Sequence, residues 1–114
     1  MSLRYVTACC ALLVLLCDSP VTRASDEMQA YLEQRVGENP QHADSWRLLG
    51  RFYHRQNKPD AANDAFKKSL ELDPDNAATH FDFGQLLKSQ GDTHKAREHF
   101  RTVFEVAPER EDAD

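Results

Sequence analysis

The chain has 114 residues, with 14 basic and 19 acidic side chains and a formal net charge of −5 when its five histidines are neutral. Without Arg4, Arg23 and Asp18, which lie in a leader-like start, the balance is 12 basic against 18 acidic residues. A net negative field opposes approach to phosphates, so no nucleic acid is expected as a partner, and the chain beyond the leader has room for one small domain.

In chain order, the first element is that leader. Arg4 precedes an apolar run from Val6 to Cys17, then Asp18, Ser19 and Pro20 break the run before Thr22, Arg23 and Ala24. This is the n-region, h-region and small-residue site of a secretory signal, predicting a signal peptide over 1–24 cleaved near Ala24 and a periplasmic or secreted product. The alternative is an uncleaved leader that anchors the chain in a membrane. The twelve residues of this run at about 1.5 Å each reach about 18 Å, short of a hydrocarbon core about 30 Å thick. No stable membrane span is therefore expected after cleavage. Cys9, Cys10 and Cys17 all fall in this leader. The rest of the chain has no disulfide and no thiol-ligated metal to stabilise it.

Beyond the leader the sequence repeats. A shift of 34 residues places Trp46 on His80, Leu49 on Phe83, Gly50 on Gly84, Tyr53 on Leu87, Ala62 on Ala96, Phe66 on Phe100 and Pro74 on Pro108. A period of this length marks paired helices stacked as a solenoid, in which no hairpin buries its apolar face alone. Gly50 with Ala62, and Gly84 with Ala96, supply small residues where paired helices approach to about 8–10 Å. Asn57 and Gly91 suit turns that need a left-handed backbone, and Asp60 and either Asp92 or Thr93 suit helix caps. Pro74 and Pro108 end the second helices. Helices are expected over 43–56, 60–72, 77–90 and 94–106. Thirty-four residues before Pro74 stands Pro40, so 26–38 reads as the second helix of an incomplete first repeat, with Met28 and Leu32 in the places of Ala62 and Phe66.

The pattern Trp46-x-x-Leu49-Gly50-x-x-Tyr53, Ala62-x-x-x-Phe66 and Pro74 resembles the tetratricopeptide repeat, and the second copy keeps Gly84, Gly91, Ala96, Phe100 and Pro108. The resemblance implies an all-α, right-handed α-solenoid of two helical hairpins plus an N-terminal half-repeat helix. Its segments are a half-repeat helix at 25–42, repeats at 43–76 and 77–110, and a disordered tail at 111–114. The stretch from Glu38-Asn39-Pro40 to Leu48-Leu49-Gly50-Arg51 is similar to modules of cytochrome c biogenesis, for which a cytochrome polypeptide is the expected client, although the chain has no CxxCH of its own after the leader.

In that family the first helix of each hairpin lines the concave face. The positions that usually meet a ligand correspond to Asp44, Arg47, Arg51, His54 and Arg55 in the first repeat, and to Ala78, Phe81, Gln85, Lys88 and Ser89 in the second. Arg47, Arg51 and Arg55 recur at i, i+4 and i+8 and so form one helical stripe of planar cations suited to carboxylates. The expected peptide-binding residues are therefore Arg47, Arg51, His54, Arg55, Phe81, Gln85 and Lys88, facing an acidic segment or C-terminus of another protein. As a bland alternative, the stripe is a solvated helix face. Trp46, Tyr53, Phe66, Phe83 and Phe100 sit on structural positions and are assigned to the core.

No metal or other cofactor is expected: no HExxH or i, i+4 histidine pair occurs, and His94 and His99, five apart, point to different faces. No enzyme is expected either, because no nucleophile elbow or phosphate loop is present. Self-assembly is the competing expectation, since Phe104 and Val106 lie at an open end with no polar capping helix after Pro108, which favours a homodimer.

Overall fold

The computed structural model describes residues 20–107 as five helices: α1 (Pro20–Glu38), α2 (Ala43–Arg55), α3 (Pro59–Leu72), α4 (Ala77–Ser89) and α5 (Thr93–Val106). No strand occurs among the described residues. The apolar leader run, its three cysteines, Pro108 and the tail lie outside them. The chain divides into two compact units, the first ending at Tyr31 and the second beginning at Leu32.

Of the first unit the structure describes the opening turns of α1. The described part of the helix begins at Pro20, six residues before the expected Asp26, and no breaker follows before Gly37. Thr22 to Ala24 are therefore helical. Ser25 Oγ donates back to the Thr22 carbonyl at 3.3 Å, and Met28, expected to pack as Ala62 does, is 49% exposed.

The second unit holds the end of α1 and both hairpins. Its four later helices match the expected spans to within one residue, because the turn chemistry fixes their ends. Asn57 at φ 61° and Gly91 at φ 84° take the two left-handed positions. Asp92 caps α5, accepting from the Lys95 amide, and Asn76 caps α4, accepting from the Thr79 amide at 3.1 Å. Asp60 does not cap α3. Lys58 holds that position without a side-chain bond, Pro59 opens the helix, and Asp60 falls in the first turn, where its charge meets the positive end of the helix dipole.

One apolar cluster joins Ala62, Phe66, Phe83, Leu86, Leu87 and Ala96, with Tyr53, Leu70 and Phe100 against it. Gly50 and Gly84 serve this cluster more directly than a small-residue pairing suggests. A Cβ on Gly50 would lie 2.8 Å from the Phe66 ring, and one on Gly84 would lie 2.7 Å from the Phe100 ring. Each glycine is thus a seat for the aromatic ring sixteen residues on. A second cluster, Leu32, Val36 and Leu49 with Trp46, Phe52 and Tyr53, holds the end of α1 on the first hairpin. Tyr53 Oη donates to Glu33 at 2.9 Å across that contact, and Trp46 Nε1 donates to the Pro40 carbonyl at 2.9 Å. Burial, with the Glu33 carboxylate second, holds the Tyr53 phenol above its ordinary value.

Between the hairpins the joint is polar as well as apolar. Ser69 Oγ donates to the Ala43 carbonyl at 2.9 Å, so its 2.9 Å contact with Thr79 Oγ1 is made by the threonine proton. Both side chains are fully buried. With Phe66 and Phe83 stacked at 5.7 Å beside them, this chain fixes how α4 lies on α2 and α3.

Candidate functional site

The seven expected site residues fall into two groups with different surroundings. On α2, Arg47 is already engaged: its Nε donates to Asp44 at 3.2 Å and its Nη1 to Asp82 on α4 at 3.1 Å. Its side chain is 18% exposed and that of Asp82 17%. Arg51 Nε lies 3.8 Å from the same Asp82 carboxylate. His54 Nε2 stands 3.3 Å from Ser89 Oγ, and since the serine proton goes to the Leu86 carbonyl at 2.6 Å, the imidazole is the donor there. Arg55, at the end of α2, is exposed and makes no ion pair among the described residues. The stripe therefore grades from a neutralised end at Arg47 to a free end at Arg55.

Asp44 is drawn into the same joint. It accepts from Arg47 and, at 3.3 Å, from Asn76 Nδ2, and these two bonds, Arg47 first, hold its carboxyl below the usual value. Replacing Asp82 by alanine leaves Arg47 half-satisfied at a partly buried site. The expected cost is about 1 kcal/mol, at the low end of charged hydrogen bonds because water screens both partners, and urea unfolding of the variant measures it.

On α4 the expected residues line a groove shared with α5. Phe81, 43% exposed, packs on Phe100 at a ring distance of 5.9 Å. Together with Gln85 and Lys88 it forms one wall of a groove of about 480 Å³ whose other wall is Phe100, Val103 and Phe104 of α5 with Ala107 just past its end. Sequence reasoning found the α4 wall and missed Asp82 and most of the α5 wall. Asp82 lies 35 residues from Arg47, one step beyond the repeat, and that offset is the signal that pairs one first helix with the next.

Elsewhere, His80 and His99 meet Nδ1 to Nδ1 at 2.9 Å, a pair made by two different helices. Neither belongs to the groove.

Two stacked hairpins of 34-residue period, each with an aromatic ring seated on a glycine, define a tetratricopeptide solenoid, a class built to hold other proteins. The chain belongs to the family described as the cytochrome c-type biogenesis protein H TPR domain, whose sequence profile matches residues 20–113. Among curated proteins none matches it in sequence. Solved structures with the same fold include two crystal structures of MamA, both 19% identical, with TM-scores of 0.70 and 0.66 over 78% and 79% of this chain. A third, MamA MSR-1 C2, is 22% identical with a TM-score of 0.68 over 78% of the chain. The chain spans about half the length of these structures, 52%, 49% and 51%.

Proposed function

We propose that this protein is an exported, non-enzymatic adaptor, its leader cleaved near Ala24, that works in the periplasm or outside the cell by holding an acidic segment of another polypeptide across α2 and α4. Among the described residues no helix is long and apolar enough to cross a membrane. The observation that carries the binding reading is the His54–Ser89 contact. It brings together the C-terminal ends of α2 and α4, where Arg55 and Lys88 are exposed and unpaired among the described residues. Two free cations on adjacent helix ends favour a peptide carboxylate, with Gln85 as an amide partner, Arg51 beside them and Phe81 as an apolar contact. Arg47 contributes by holding Asp82 rather than by meeting the ligand. A cytochrome polypeptide is the client that the family's description supports.

Titration with a labelled acidic peptide ending in a free carboxylate tests this by anisotropy. Arg55→Glu with Lys88→Glu should weaken binding at least tenfold in a protein that still melts cooperatively, and added salt should weaken the wild type. Equal affinity for wild type and a folded double variant would discard the site. Reading the N-terminus of the exported protein by mass spectrometry tests the leader, with Ser25 expected first.

A further inference from the structure

The groove between α4 and α5 continues past Lys88. That lysine and Phe100 also line an adjoining depression with Thr93, Ala96 and Arg97, so one channel runs between the two helices from Ala107 to Arg97. Its floor is apolar, its far end holds two cations, and no acidic side chain among the described residues lines it. In a chain with 19 acidic residues against 14 basic ones, an acid-free channel stands apart from the rest of the surface. The nearby acids are turned elsewhere. Asp92 pairs with Lys95 at 3.3 Å and Asp82 with Arg47 at 3.1 Å. At about 100° per residue, Glu98 and Glu105 sit about 140–160° round α5 from Phe100, whereas the exposed Arg101 sits about 100° round, on the same side as Arg97.

We infer that this channel seats the chain's own acidic segment, residues 108–114, which folds back along α5 and competes with the client for Lys88. The segment reads Pro-Glu-Arg-Glu-Asp-Ala-Asp, with Glu109, Glu111, Asp112 and Asp114 against the single base Arg110. The chain enters it from the channel itself, since Ala107 is a lining residue, and there the backbone has already left the helix at φ −126° and ψ 64°. Pro108 comes next and disfavours helical geometry at Ala107. From Ala107 back to Arg97 is ten residues of α5, about 15 Å. An extended chain advances about 3.3 Å per residue, so Glu111 and Asp112, four and five residues on, come level with Arg97 and Lys88. The tether favours this occupant over a free one, because a short span presents the acids at roughly millimolar effective concentration. Pro108 and Ala113 are the segment's only apolar residues, so charge selects the seat. Competition with the client rests on the acidic-peptide reading above, since Phe81, Gln85 and Lys88 serve both. The seat itself stands without it.

Zero-length carbodiimide crosslinking of the purified protein at micromolar concentration, read by mass spectrometry, tests the seat, because it joins a carboxylate to a lysine amine only where the two meet. The acids of 109–114 should link to Lys88 at least fivefold more often than to Lys95, which lies on the far side of α5 from the channel. Equal links to both lysines, or none to Lys88, overturn the inference. A mixture of isotope-labelled and unlabelled protein should give links within one copy only. Links between labelled and unlabelled chains would put the segment of one copy on another and overturn it as well. Arg97→Glu, at an exposed position, should cut the Lys88 links at least threefold, and unchanged links would overturn the role of the cationic end. Competition is read separately. Glu109→Gln, Glu111→Gln, Asp112→Asn and Asp114→Asn together should tighten binding of the labelled acidic peptide at least threefold, and unchanged affinity would overturn the autoinhibition. A peptide that binds neither form ends the acidic-peptide reading, and the crosslink, which needs no client, then decides the seat alone.

Discussion

Replacing Phe66 by alanine is expected to leave the chain largely unfolded. Its ring is fully buried at the centre of the main cluster, against Phe83 and over Gly50, and truncation there costs about 3–5 kcal/mol. A domain of this size has a total stability of about 5–13 kcal/mol at 0.05–0.15 kcal/mol per residue, and two hairpins without a crosslink belong near the lower end. The two glycine seats add a finer comparison. Gly50→Ala places a methyl 2.8 Å from a ring that has nowhere to go, an overpacking cost of about 1–3 kcal/mol set against up to about 1 kcal/mol of improved helix propensity. Gly84→Ala makes an even closer 2.7 Å approach, but Phe100 is only partly buried and can swing outward. Urea unfolding should therefore rank Gly50→Ala as the more damaging of the two, and pairing it with Phe66→Leu should recover part of its cost. If Gly84→Ala proved equally damaging, ring freedom would not be what decides.

What the sequence made legible was whatever backbone chemistry repeats. Asn57, Gly91, Pro59 and Asp92 fix the chain at the helix ends, so the helices fell where the pattern put them. Phe66 and Phe83 had to be core because each recurs on a structural position. The functional side of the same helices was harder to read, because it depends on how one hairpin is rotated on the next. Arg47 looked free on a helical stripe, and only the placement of α4 brings Asp82 to 3.1 Å from it. The same rotation turns Phe81, Gln85 and Lys88 toward α5. The N-terminal half-repeat shows a similar limit: Leu32 is buried as expected, whereas Met28, one turn earlier, is exposed. Periodicity alone gave both the same standing.

Histidine spacing along the chain also concealed a pair, and that pair sets the expected response to acid. His80 Nε2 lies 2.7 Å from the Pro74 carbonyl, which can only accept, so this nitrogen carries the proton. In the neutral ring Nδ1 then holds a lone pair, and His99 Nδ1 must donate into it across 2.9 Å. His99 also stacks on Phe83 at 4.7 Å. Burial first, and the neighbouring His80 second, hold His99 below its ordinary value of 6.5, with Glu98 acting in the opposite direction. Since the folded value lies below the unfolded one, the unfolded chain binds more protons between them. The His99 contribution to stability should be flat above about pH 6.5, fall as pH drops from there through the folded value, and level off beneath it. Asp44 adds a separate loss at lower pH, because its folded value lies below 3.8 and its contribution disappears only as pH falls from 3.8 through that value. Thermal melts across the acid range should thus show two descents. His99→Gln should remove the upper one and spare the lower. A variant that kept the upper descent would move its origin away from His99 and make the part-buried imidazole pair a packing element without a titration of its own.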